Sequence, residues 1–93
     1  MNALGWRNMI KLLLAAKDEQ TLNLLLEFFL TAEERASLAT RCLIVFELLK
    51  QEKTQRKIAK DLKVSIAKIS RGSNELKRTS SKLLQFLKEE MET

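Results

Sequence analysis

With 93 residues, no proline, two glycines and no histidine, the chain has almost no turn vocabulary and no imidazole. That argues for one all-α domain over residues 1–93 and excludes a His-Cys zinc site and a Ser-His pair. A lone cysteine excludes an internal disulfide, no apolar run approaches the ~20 residues of a membrane span or forms a signal-peptide core, so a cytoplasmic protein is expected, and a net charge of +5 points to an anionic partner.

Apolar residues make up 29 of the first 50 positions and only 13 of the last 43. A chain this small cannot cover so greasy a first half by itself, which predicts an obligate oligomer. Trp6, Met9, Ile10 and Leu13 recur at helical spacing and predict a first helix running to Lys17. Residues 17–20 read as a connection and Thr21 as an N-cap. The segment 22–29 is then a second helix, apolar on nearly every side and expected to be buried, within the chain or between two chains.

Thr31 and Glu34 form a T-x-x-E capping box that opens a long third helix ending near Lys50. Ala36, Ala39, Cys42, Leu43, Val45, Phe46 and Leu49 give that helix a wide apolar face, and Cys42 reads as a buried hydrophobe. Thr54 and Ser65 are the next N-caps. They divide Gln55–Leu62 from Ile66–Arg78 by the three-residue turn Lys63-Val64-Ser65, which is a helix-turn-helix. Ile58, Leu62, Val64 and Ile69 fall where the two helices must pack, with Ala59 small at the crossing and Gly72 small on the second helix. A cap within residues 79–81 starts a sixth helix carrying Leu83, Leu84, Phe86, Leu87 and Met91.

Charge is concentrated on this motif. Residues 53–78 hold nine basic and two acidic side chains, +7, whereas the rest of the chain is −2. A basic field coinciding with a helix-turn-helix fits double-stranded DNA. Ile66, Ala67 and Lys68 occupy the turn that faces base edges, with Gln55 and Arg56 approaching from the preceding helix. Ile66 or Ala67 suits a thymine methyl, and Arg56 suits guanine O6 and N7. Ser70, Asn74 and Lys77 suit phosphates, while Lys57, Lys60 and Lys63 contribute general field. The adjacent carboxylates Glu33-Glu34 and Glu89-Glu90 point about 100° apart on a helix and cannot converge on a substrate, so the chain is not expected to be an enzyme.

The segments LTAEERASLATR (30–41), TQRKIA (54–59) and SIAKISRGSNELK (65–77), in this order and spacing, resemble the tryptophan repressor family. The resemblance implies an intertwined six-helix homodimer that binds palindromic operators of tryptophan biosynthesis or transport genes. It implies L-tryptophan as corepressor, with no metal or prosthetic group. Arg41 and Arg71 match the arginines that sandwich the indole; Arg71 can also pair with the ligand carboxylate, and Thr31 lies near that group. The carbonyls of the partner subunit's Phe28 and Leu30 match those that take the ammonium, and Gly72 matches a position that leaves the ligand space. From the residues alone, Arg41 reads as a surface or a salt-bridging arginine, for example with Glu34 or Glu47, and Arg71 as a phosphate contact.

This chain departs from the family pattern at several places. Lys63 stands where a turn glycine is usual, at a cost of about 1 kcal/mol, and Lys68 replaces a common threonine at the groove-facing turn. Glu75 replaces a small or hydroxyl residue near the ammonium, where it can either pair with Arg71 or attract the ligand. The polar N-terminal arm of longer members has no counterpart before the first helix, which predicts no arm contact with DNA. Two alternatives remain open: a helix-turn-helix regulator that is ligand-independent or takes another ligand, and a helical module that binds proteins through its leucine-rich half.

Overall fold

The computed structural model describes residues 2–91, which form six α-helices and no strand among them. Helix α1 (Ala3–Ala15) starts at Asn2, whose Oδ1 accepts from the amides of Leu4 and Gly5 at 2.9 and 3.1 Å. It stops two residues short of the predicted end. Helix α2 (Glu19–Phe29) begins earlier than Thr21, because Asp18 is its cap, accepting from the Thr21 amide at 2.7 Å. A carboxylate caps as well as a threonine hydroxyl and also complements the positive end of the helix, so the earlier start wins.

Helix α3 (Ala32–Lys50) opens with the expected capping box: Thr31 Oγ1 accepts from the Glu34 amide at 3.1 Å, and Glu34 Oε1 accepts from the Thr31 amide at 2.8 Å. Helices α4 (Gln55–Leu62) and α5 (Ile66–Arg78) start where the sequence places them, at caps Thr54 and Ser65. Ser80 caps α6 (Ser81–Glu90). None of these helices is long and apolar enough to cross a membrane.

The described residues fall into two compact units that divide between Ser37 and Leu38. The first holds α1, α2 and the start of α3, and α1 and α2 bury no residue. The expectation that α2 is buried does not hold within the single chain: Leu22, Leu24, Phe28 and Phe29 are exposed, Phe28 at 80%. Arg35 ties the start of α3 to the end of α2, its Nη1 donating to the carbonyls of Leu30 and Glu27 at 2.8 and 3.2 Å. A guanidinium there satisfies carbonyls that the helix end leaves open.

The second unit has a small apolar core of Ile44, Ile58, Ala59 and Ile69, flanked by Leu48, Leu62 and Val64. Every packing residue predicted for the helix-turn-helix is in or against it, and α3 adds Ile44 and Leu48. Cys42 departs from its reading, being exposed. Two residues before Ile44, it lies about 200° around the helix and so faces away from the contact Ile44 makes.

Candidate functional site

The site is built on the turn between α4 and α5. Lys63 adopts the left-handed conformation, φ 57° and ψ 44°, and its amide and that of Val64 return to carbonyls of the last turn of α4, Val64 to Ala59 at 3.0 Å. Those bonds satisfy carbonyls otherwise left open and fix the direction in which α5 departs. The strain expected at this non-glycine residue is therefore present. Ile58 and Ile69, at 1% and 0% exposure, lock the two helices together.

With the helices fixed, the predicted DNA residues divide into two groups. Arg56, Ile66, Ala67, Lys68, Asn74 and Lys77 are exposed, Ile66 at 47%. Gln55 and Ser70 are half-buried and bonded to each other, Ser70 Oγ donating to Gln55 Oε1 at 3.0 Å. Serine has one proton to give, so Ser70 reaches a phosphate only by releasing this bond, whereas Gln55 keeps its amide as a donor. The pair had no signal in the sequence beyond two polar residues fifteen positions apart.

The ligand candidates also separate. Gly72 faces α3: a Cβ there would lie 3.1 Å from Ile44 Cγ2 and 3.4 Å from Leu48 Cδ1. That close approach of α5 to α3 accounts for the glycine by packing alone. Arg71 adjoins Gly72 in α5, and Arg41 lies one turn before Ile44 in α3, so each arginine is near in sequence to the contact between those helices. Both are exposed, and neither makes an ion pair or side-chain hydrogen bond among the described residues. The pairing of Arg41 with Glu34 or Glu47 does not form: Glu34 is in the capping box and Glu47 bonds Lys50. Glu75 pairs with Arg78, three residues on, and not with Arg71. In the first unit, Thr31 serves the capping box, the Leu30 carbonyl accepts from Arg35, and the Phe28 ring meets Phe29 edge-on at 4.9 Å.

A match to the family described as Trp repressor protein covers residues 4–91. The chain belongs to the Trp repressor family. It is 44% identical over 87 residues to a Trp operon repressor homolog of Chlamydia caviae, covering 94% of this chain and 86% of that one. A homolog of the same name from Vibrio campbellii is 45% identical over 75 residues, covering 81% and 75%. One from Photobacterium profundum is 40% identical over 82 residues, covering 88% and 80%. As a Trp repressor family member, the chain is a DNA-binding transcriptional repressor of all-α build.

Within that family frame, one feature of the head was not anticipated from the sequence. Lys53, just ahead of the α4 cap, donates to Asp61 Oδ2 at 2.9 Å and lies 3.4 Å from Glu47 Oε2. Asp61 also meets Lys57 at 3.0 Å, and Glu47 meets Lys50 at 3.2 Å. The hydrogen bond from Lys53, and then that from Lys57, hold the Asp61 carboxyl below its ordinary range. The bond from Lys50 leads the lowering at Glu47, and the bond to Asp61 raises Lys53. Two lysines counted in the basic field, Lys53 and Lys57, thus share the Asp61 carboxylate within the head.

Proposed function

We propose that the chain acts as a homodimer that uses L-tryptophan as corepressor to bind palindromic operators of tryptophan biosynthesis or transport genes. The observation that carries this reading is the pair Arg41 and Arg71, two exposed guanidinium groups with no ion pair among the described residues, the first one turn before Ile44 and the second next to Gly72 in helices that meet at the Ile44–Gly72 contact. Planar guanidinium groups stack on an aromatic face, and Arg71 can pair with a carboxylate as well. On the family resemblance, Thr31 lies near that carboxylate and the carbonyls of the partner subunit's Phe28 and Leu30 take the ammonium. The uncovered apolar side chains of α1 and α2, Leu4, Trp6, Leu14, Leu24 and Phe28 among them, support a second copy as their cover.

Ligand binding to the form whose two heads match successive major grooves, about 34 Å apart, shifts the population toward operator-competent dimers. Calorimetry with L-tryptophan on the purified protein, followed by operator titration with and without it, is the test. Binding heat, tighter operator binding with ligand, and a loss of about tenfold or more in ligand affinity in Arg71→Ala are expected. Equal operator binding with and without tryptophan assigns the ligand-independent alternative.

A further inference from the structure

We propose that Lys53 is a positioning residue for the DNA-binding head, holding α4 in place on the end of α3 through a three-way ionic clamp with Asp61 and Glu47. Lys53 occupies a place where a lysine is electrostatically disfavoured, immediately before the N-cap and thus at the positive end of α4. Its side chain runs along the helix to Asp61, eight residues on, and toward Glu47 on α3. Glu47 Oε2 is occluded from solvent and has no hydrogen-bond partner among the described residues; the Lys53 ammonium faces it at 3.4 Å while Lys50 holds the other oxygen, Oε1, at 3.2 Å. Side-chain exposures of 35%, 30% and 19% for Lys53, Asp61 and Glu47 set this cluster apart from a fully solvated surface pair.

One ammonium therefore joins the end of α3, the connection 51–54 and the body of α4. The N-terminal turn of α4 carries Gln55, which is bonded to Ser70 of α5, and Arg56, which is exposed. Fixing α4 against α3 fixes where both helices present their DNA-facing residues. Lys53 then acts on DNA through geometry, and its charge is already engaged before DNA arrives. This inference rests on DNA binding by the family and is independent of tryptophan as the ligand.

The test uses the full chain with Lys53→Met, Lys53→Arg and Asp61→Asn, titrated at several salt concentrations. The probes are a duplex selected from random-sequence DNA by the unaltered protein and a scrambled duplex of equal length. Positioning predicts that Lys53→Met and Asp61→Asn each weaken binding to the selected duplex about three- to tenfold, and that the double variant is no worse than either. Binding to the scrambled duplex and the salt slope stay unchanged, and Lys53→Arg recovers most of the loss. Asp61→Asn is decisive because removing a negative charge from a basic head tightens binding if only net charge matters. Unchanged or tighter binding in that nearly isosteric variant overturns the proposal, as does a fall of about 0.9 in salt slope for Lys53→Met, the mark of a phosphate contact. Titration of the unaltered protein on the selected duplex tests the DNA-binding premise separately.

Discussion

Ile44 fills the space that a side chain on Gly72 would need: a Cβ there would lie 3.1 Å from its Cγ2. Ile44 is itself 3% exposed, packed with Ile58 and Ile69, and its branched side chain has little rotamer freedom with which to retreat. Gly72→Ala brings a gain of up to about 1 kcal/mol in helix propensity against an overpacking cost of about 1–3 kcal/mol. The clash dominates, so a lower urea midpoint than the unaltered protein is expected at equal protein concentration.

Lys63→Gly changes stability in the other direction. The left-handed backbone at this residue costs a side-chain-bearing residue about 1 kcal/mol, and glycine removes most of that while keeping the amide bonds to α4. Thermal denaturation followed by helical circular dichroism is expected to show a higher midpoint. A lower one would mean that the Lys63 side chain contributes something the turn geometry does not.

Ile69 is fully buried at the crossing of α4 and α5. Ile69→Ala removes most of its contacts with Ile58 and Ile44 and is expected to cost about 2–5 kcal/mol. Limited proteolysis should then cut within residues 51–80 well before it does in the unaltered chain, because these helices have no other fully buried contact of that size besides Ile58.

Stability is expected to fall in acid, with a sign set by four carboxylates. Asp18 and Glu34 are held below their ordinary range chiefly by the amides of Thr21 and Thr31, Glu47 by Lys50, and Asp61 by Lys53. A depressed folded-state pKa contributes stability above the unfolded value and loses it as pH drops through the folded one. The melting midpoint should therefore be level from neutrality to about pH 5 and decline below about pH 4.5. Asp61→Asn should make that decline shallower. Lys53, raised by its bond to Asp61, contributes below the ordinary lysine value and loses its contribution only above about pH 10.5.

Most of the local structure could be read from short-range signals. Thr31 with Glu34, Thr54, Ser65 and a hydroxyl near position 80 announce helix starts because their oxygens serve amides two or three residues away. Asp18 in place of the expected Thr21 shows the limit of that signal: both residue types can cap, and only the path of the chain into α2 shows that Asp18 does. Cys42 illustrates a different limit. Periodicity shows that α3 is apolar over a wide arc, but the slice that meets α4 and α5 is chosen by where those helices lie, and it contains Ile44.

The sequence by itself determined that this is an all-α member of the Trp repressor family with a basic helix-turn-helix, since capping, apolar period and motif spacing are properties of neighbouring residues. Only the tertiary structure decided how charges and small residues are used. It assigns Gly72 to the close approach of α5 and α3, Ser70 to Gln55, and Lys53 to Asp61 and Glu47. Long polar side chains choose partners by distance in space, and those distances exist only once the helices have packed.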